Sequence, residues 1–135
     1  MFRPLLAGVA VAVALPVIAA QPISGRWLTA DRDAVIAIGP CGAVLCGRIA
    51  KLNRLPPSGP PIDARNPDPA LRSRPLAGLT ILAGLKPDGD GWTGQIYDPK
   101  SGKTYRAIVT RSGGNLKVQG CVAVFCRTMT WTAAP

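Results

Sequence analysis

The chain has 135 residues; sixteen are Lys or Arg, seven are Asp and none is Glu or His, giving a formal net charge of +9. One domain is expected at this length. The absence of His excludes a Ser-His-Asp triad, a Cys-His dyad and a His-ligated zinc, and the scarcity of acids disfavours a paired-carboxylate enzyme.

Residues Met1 to Ala20 read MFRPLLAGVAVAVALPVIAA. A single charge, Arg3, precedes a long apolar run that closes in small residues. That is the pattern of a secretory signal peptide, with cleavage expected after Ala19 or Ala20. The rival reading is a transmembrane anchor, but the run from Leu5 to Ala20 is interrupted by Pro16 and falls short of the roughly 20 residues that span a bilayer. No Cys follows the cut, so a lipid-anchored form is not supported. The expected organisation is a signal peptide over 1–20 and one domain over 21–135, exported to the periplasm or beyond the cell. Losing the leader removes Arg3 and leaves 115 residues, enough to bury roughly two-thirds of the unfolded surface.

The remaining chain shows no sustained helical periodicity. Short apolar or alternating runs recur, broken by Gly, Pro, Asn and Asp. The expected strands are Gly25 to Thr29, Ala34 to Ile38, Leu45 to Leu52, Leu79 to Leu85, Trp92 to Asp98, Lys103 to Arg111, Leu116 to Cys121 and Phe125 to Thr132. Alternation places Tyr105, Ala107 and Val109 on one face of their strand, and Phe125, Arg127, Met129 and Trp131 on one face of the last. Sequential antiparallel strands with short turns form a meander, and closing it removes two exposed edges. The expected fold is all-β: an eight-stranded antiparallel meander barrel whose interior holds side chains or one small ligand. One stretch departs from the pattern. Residues 53–75 read NRLPPSGPPIDARNPDPALRSRP, and seven prolines there forbid a central strand. Asp68 is placed to cap a single helical turn through Leu71, with Pro69 at its first position. An ordered lid, a structural strap and a mobile linker are the three readings of this loop.

Cys41, Cys46, Cys121 and Cys126 form two matching motifs, CGAVLC and CVAVFC. In an exported chain an even cysteine count reads as disulfides. Local pairing would staple two tight turns, at about 2 kcal/mol each by chain entropy. A long link such as Cys41–Cys121 would contribute about 4.5 kcal/mol, if geometry permitted it. Local pairing is favoured; a four-thiolate zinc site is the remaining alternative, made improbable by export.

The string NPDPALRSRPLAGLTILAGLKP, followed by GWTGQIYDPKSGKTY and the two Cys motifs, resembles a bacterial family of small exported proteins, domain of unknown function 2147. The resemblance runs from Gly25 to Trp131. Its opening is matched by Gly25, Trp27 and Thr29, and its first Cys motif by Cys41, Gly42, Leu45, Cys46, Gly47 and Arg48. Asn66, Pro67, Arg74, Pro75, Leu76, Gly78 and Gly84 match its centre. Ile96, Tyr97, Pro99, Gly102 and Tyr105 match the next section, and Gly120, Cys121, Cys126 and Trp131 its end. One departure is Thr29-Ala30-Asp31, where many members read Thr-Asp-Gly or Thr-Glu-Asp, so no acid-dependent role is carried over there. The family has no assigned reaction; the resemblance implies a lipocalin-like, calycin-like barrel. Gly25-Arg26-Trp27 supplies the Gly-x-Trp that opens the first strand of lipocalins, whose Trp closes one barrel end beneath an Arg of the last strand. Arg127 is the positional candidate for that Arg.

Eleven Arg against five Lys favours planar, bidentate recognition of a carboxylate, phosphate or sulfate. The candidate ligand-binding residues are Trp27, Arg48, Asn66, Arg74, Tyr97, Tyr105, Arg127 and Trp131. The competing reading makes the aromatics ordinary core and the cations a basic exported surface. No basic run suits nucleic acid, and neither short Asp cluster has calcium-loop spacing. No catalytic residue, metal ligand or cofactor is expected, and an enzyme is the weakest reading because no nucleophile–base pair is visible. The expectation is a barrel that binds a small anionic or amphipathic ligand or an envelope component. The alternative is a protein-interaction module, such as an envelope inhibitor or stress factor, with no ligand cavity.

Overall fold

Turn-forming Gly, Asp and Pro cut the chain into short alternating segments, and these become eight strands. They are β1 (Gly25–Leu28), β2 (Ala34–Cys41), β3 (Val44–Leu52), β4 (Thr80–Asp88), β5 (Gly91–Asp98), β6 (Lys103–Ser112), β7 (Asn115–Val122) and β8 (Phe125–Ala133). The structure, a computed structural model, describes residues 1–14 and 19–135. The expected export signal over 1–20 therefore falls partly outside the described residues.

Each strand pairs antiparallel with the next, and β8 returns to β1 to close the barrel. Register is unbroken between β5 and β6 and between β7 and β8. The register shifts between Val35 and Ile36, around Gly47 and between Ala83 and Lys86, as at a β-bulge, which bends and twists its strand. The closing seam is short, with Trp27 opposite Ala133 and Leu28 opposite Thr132.

Alternation directs one face inward. Ile36, Leu82, Leu85, Ala107, Val109, Leu116 and Val118 are all fully or almost fully buried. Burial of each larger side chain contributes roughly 2 kcal/mol. Among the described residues no helix is long and apolar enough to cross a membrane.

A meander sends alternate connections to opposite ends. One end, the loop end, carries the turns after β1, β3, β5 and β7. The other carries the turns after β2, β4 and β6, together with the segment before β1. That second end is plugged. Ile23 is fully buried there, and three side chains hold three consecutive carbonyls. Trp92 Nε1 donates to Gln21 O, Arg111 Nη1 to Pro22 O and Trp27 Nε1 to Ile23 O, each at 2.9 Å. The Arg111 guanidinium lies 5.7 Å from the Trp27 ring centroid. Arg111 of β6 thus covers Trp27, which corrects the expectation for Arg127. The reason is strand direction: Trp27 is level with Ala133, six residues beyond Arg127 and so roughly 20 Å along β8.

The two disulfides are local, Cys41–Cys46 and Cys121–Cys126, and no cysteine is free. The first spans the β2–β3 hairpin diagonally; the second joins residues directly opposite across β7 and β8. Neither the long link nor the zinc site forms. The Pro-rich connection is ordered. Asp68 caps the short turn Pro69–Leu71, accepting from Ala70 N at 3.0 Å. Asp63 N to Arg74 O and Leu76 N to Pro61 O tie its two limbs together around the Ile62–Pro75 bridge.

Candidate functional site

At the loop end the barrel opens into a solvent-facing cavity of about 640 Å³, within the range of small-molecule sites. Its wall is built by inward positions of successive strands: Ile81 of β4, Ile96 of β5, Tyr105 of β6, and Met129 and Trp131 of β8. Gly120 creates part of the space. A Cβ there would meet Ile96 and Tyr105 at ordinary contact, 3.6 Å, and any longer side chain would grow into the cavity. Phe125 and Val122 stand at the rim.

Four charged side chains line this mouth: Asp31, Asp98, Lys100 and Arg127. Arg127 lines the cavity and is exposed; it makes no side-chain hydrogen bond or ion pair among the described residues. Lys100, by contrast, is engaged. It donates to Asp31 Oδ2 at 2.7 Å and lies 3.8 Å from Asp33 Oδ2. Partial burial pushes the Asp31 carboxyl up, but donation from Lys100, the Asp33 amide and the Thr29 hydroxyl outweighs it, and its pKa falls to about 2. The hydrogen bond to Asp31 in turn raises Lys100.

Beside the mouth, the connection from β3 to β4 is latched by a buried carboxylate. Asp63 is wholly inaccessible. Tyr97 OH donates to its Oδ1 at 2.5 Å, and Asn66 Nδ2 and Arg74 Nε donate to Oδ2 at 2.9 Å. Burial alone would raise this carboxyl; the three donors together hold it below the usual carboxylate range. Tyr97 is raised, first by burial and then by its bond to Asp63. Gly102, at φ 73°, completes the latch, because a Cβ there would clash with the Arg65 carbonyl oxygen. No residue between 53 and 79 lines the cavity, so this segment is a strap at the side and not a lid across the opening.

The structure thus divides the expected site residues. Tyr97, Tyr105, Arg127 and Trp131 line the cavity. Asn66 and Arg74 do not; they serve the strap network and reach the cavity only through Tyr97. Trp27 belongs to the plug at the opposite end. Arg48 stands on the outer wall, in a separate depression of about 340 Å³ with Thr80, Cys41 and Cys46, because it is out of phase with its buried neighbours Gly47 and Ile49. Asp63 was missed by sequence reasoning: its partners lie 3, 11 and 34 residues away. Arg111 was missed because only closure of the barrel brings it to Trp27.

Comparison with known proteins gives the family and the fold. Residues 25–133 match the model of a family described as "Uncharacterized protein conserved in bacteria (DUF2147)". The chain belongs to this family. No curated protein matches it. The fold of this DUF2147 protein is similar to that of protein HP1028 from Helicobacter pylori, described as belonging to the lipocalin family. The TM-score is 0.73 with 20% identity, over 84% of this chain and 84% of that one. The lipocalin-like barrel expected from the sequence is the observed fold.

Proposed function

We propose that this DUF2147 protein is an exported binding protein that holds a small amphipathic molecule with an anionic head in the loop-end cavity. The observation that carries this reading is the pairing of an apolar cavity with one uncommitted guanidinium, Arg127, at its mouth. The apolar part of the ligand rests on Ile96, Met129 and Trp131, and the head meets Arg127 by a charge-assisted hydrogen bond. Lys100 contributes less, since Asp31 already neutralises it. The two disulfides and the leader-like first twenty residues support export to an oxidising compartment.

The test uses 1-anilinonaphthalene-8-sulfonate, an apolar aromatic anion, followed by its fluorescence. Gly120→Leu, which fills the cavity, and Arg127→Gln, which removes the charge, should each weaken binding about tenfold, close to 1.4 kcal/mol. Native mass spectrometry of the purified protein should show a co-purifying small molecule that Gly120→Leu loses. Probe binding that neither substitution changes would place the probe outside the cavity and end this reading.

A further inference from the structure

The β7–β8 hairpin ends in an apolar tip. Val122, Val124 and Phe125 are 60%, 86% and 79% exposed. Folding does not bury them, yet the hairpin holds them firmly. Val122 pairs with Phe125, Ala123 turns the chain at φ 52°, and Cys121–Cys126 staples the strands immediately behind. The tip is a narrow projection and not a flat patch, a shape suited to entering a fluid interface. Beyond residue 20, the other strongly exposed large apolar side chains are Leu55, Ile62 and Leu71 of the strap. All six therefore lie at the loop end.

Charge points the same way. All seven acids lie between Asp31 and Asp98. The three strands that carry and brace the tip, β6 to β8, contain Lys103, Arg106, Arg111, Lys117 and Arg127 and no acid. Arg106 is exposed and stands in register with Cys121, directly behind the tip, and Arg127 lies just inside it. Five of these acids stand at the loop end: Asp31 and Asp33 are paired with Lys100 and Arg54, Asp63 with Arg74, and Asp68 and Asp98 accept only from local amides and the Ser101 hydroxyl. Arg106 and Arg127 make no ion pair among the described residues, and an apolar projection backed by such cations is complementary to a surface that is anionic outside and hydrocarbon within.

We propose that the loop end docks on an anionic lipid bilayer, with Val122, Val124 and Phe125 entering the acyl boundary and Arg106 and Arg127 meeting lipid head groups. Docking stands on the tip itself; only its use for loading rests on the cavity reading. Because Val122 and Phe125 also form the cavity rim, an amphipathic molecule could then pass from the leaflet to the cavity without crossing water.

The experiment is vesicle flotation, with the protein purified from an exporting host in the form that host produces. Vesicles of phosphatidylcholine with phosphatidylglycerol are compared with phosphatidylcholine alone. The wild type should partition onto the anionic vesicles, and added salt should release it. Val124→Asp should reduce partitioning at least about tenfold. Val124 does not line the cavity, so this variant should bind 1-anilinonaphthalene-8-sulfonate in free solution as the wild type does. Retained probe binding with lost docking separates the tip from the cavity. In Val124→Trp, emission should shift to the blue when anionic vesicles are added. Docking is overturned if the wild type stays in solution, if Val124→Asp floats as well as wild type, or if the tip Trp shows no shift. A wild-type dimer that Val124→Asp makes monomeric, without vesicle binding, would assign the tip to a second copy of the chain instead.

Discussion

Asp63 shows how one residue fixes a long loop. Its carboxylate is buried and takes donors from the strap and from β5 together, so the strap cannot leave the barrel without exposing an ionic network. Replacing one member of a buried pair leaves the others unsatisfied. The Arg74 side chain is 37% exposed, and solvent screens part of that pairing. Asp63→Ala should therefore cost about 2–3 kcal/mol in urea denaturation, and Tyr97→Phe about 1 kcal/mol. The pH dependence follows in sign. Asp63 has a folded-state pKa below its unfolded value, near 4. Its contribution is fully present above that value and is lost as pH falls through the lower folded one. Asp31, brought to about 2, acts in the same direction and more weakly, being partly exposed. Stability should hold from neutral pH down to about pH 5 and decline below about pH 4. Asp63→Asn should flatten that decline; an acid limb equally steep in the variant would show that Asp63 is not its source.

At the scale of elements, the hairpins resemble one another in sequence and differ in what their staples hold. Cys41–Cys46 closes a hairpin whose outer face adjoins Arg48 and the smaller depression. Cys121–Cys126 braces the apolar tip. Each closes a six-residue loop, worth about 2 kcal/mol by the chain-entropy account. Non-reducing peptide mapping should recover Cys41 linked to Cys46 and Cys121 linked to Cys126. Replacing either pair by Ser should lower stability by about 2 kcal/mol, with the β7–β8 pair alone also loosening the cavity rim. A Cys46–Cys126 peptide would contradict the fold as described. The local pairing was favoured but not fixed by the spacing, which requires a turn between the cysteines: Gly42 supplies one in CGAVLC, whereas CVAVFC has no turn-forming residue and the structure turns it at Ala123. The strap was legible only in part. Asp68, Pro69 and the short turn could be read from their neighbours, whereas the latch joins residues whose proximity no local pattern encodes.

For the whole molecule, closure is the decisive event and its seam is the weakest join. β1 is the shortest strand and meets β8 at Trp27–Ala133 and Leu28–Thr132, supported by Ala134 N to Arg26 O at 2.9 Å. Sheet ladders with few bonds open first. Amide hydrogen exchange should be faster at Leu28 and Thr132 than at Ala107 or Val118, which lie mid-barrel. Slower exchange at the seam would mean that the plug of Gln21 to Ile23 stabilises it more than the ladder does. Closure also creates the two unlike ends: one sealed by Ile23 and the carbonyl contacts of Trp27, Trp92 and Arg111, the other open, with an apolar tip and Arg127 at its mouth.

The sequence by itself determined the strands, their order and the inward faces, because alternation and turn residues are local and repeat along the chain; its resemblance to DUF2147 supplied the family, and it favoured the local disulfides without fixing them. Only the tertiary structure decided which residues face one another. It moved Trp27 from the cavity to the plug, exchanged Arg127 for Arg111 above it, and made the Pro-rich segment a strap on Asp63. The physical reason is that these assignments depend on position along the barrel axis and on closure. Both are sums over all eight strands, and no short stretch of sequence carries them.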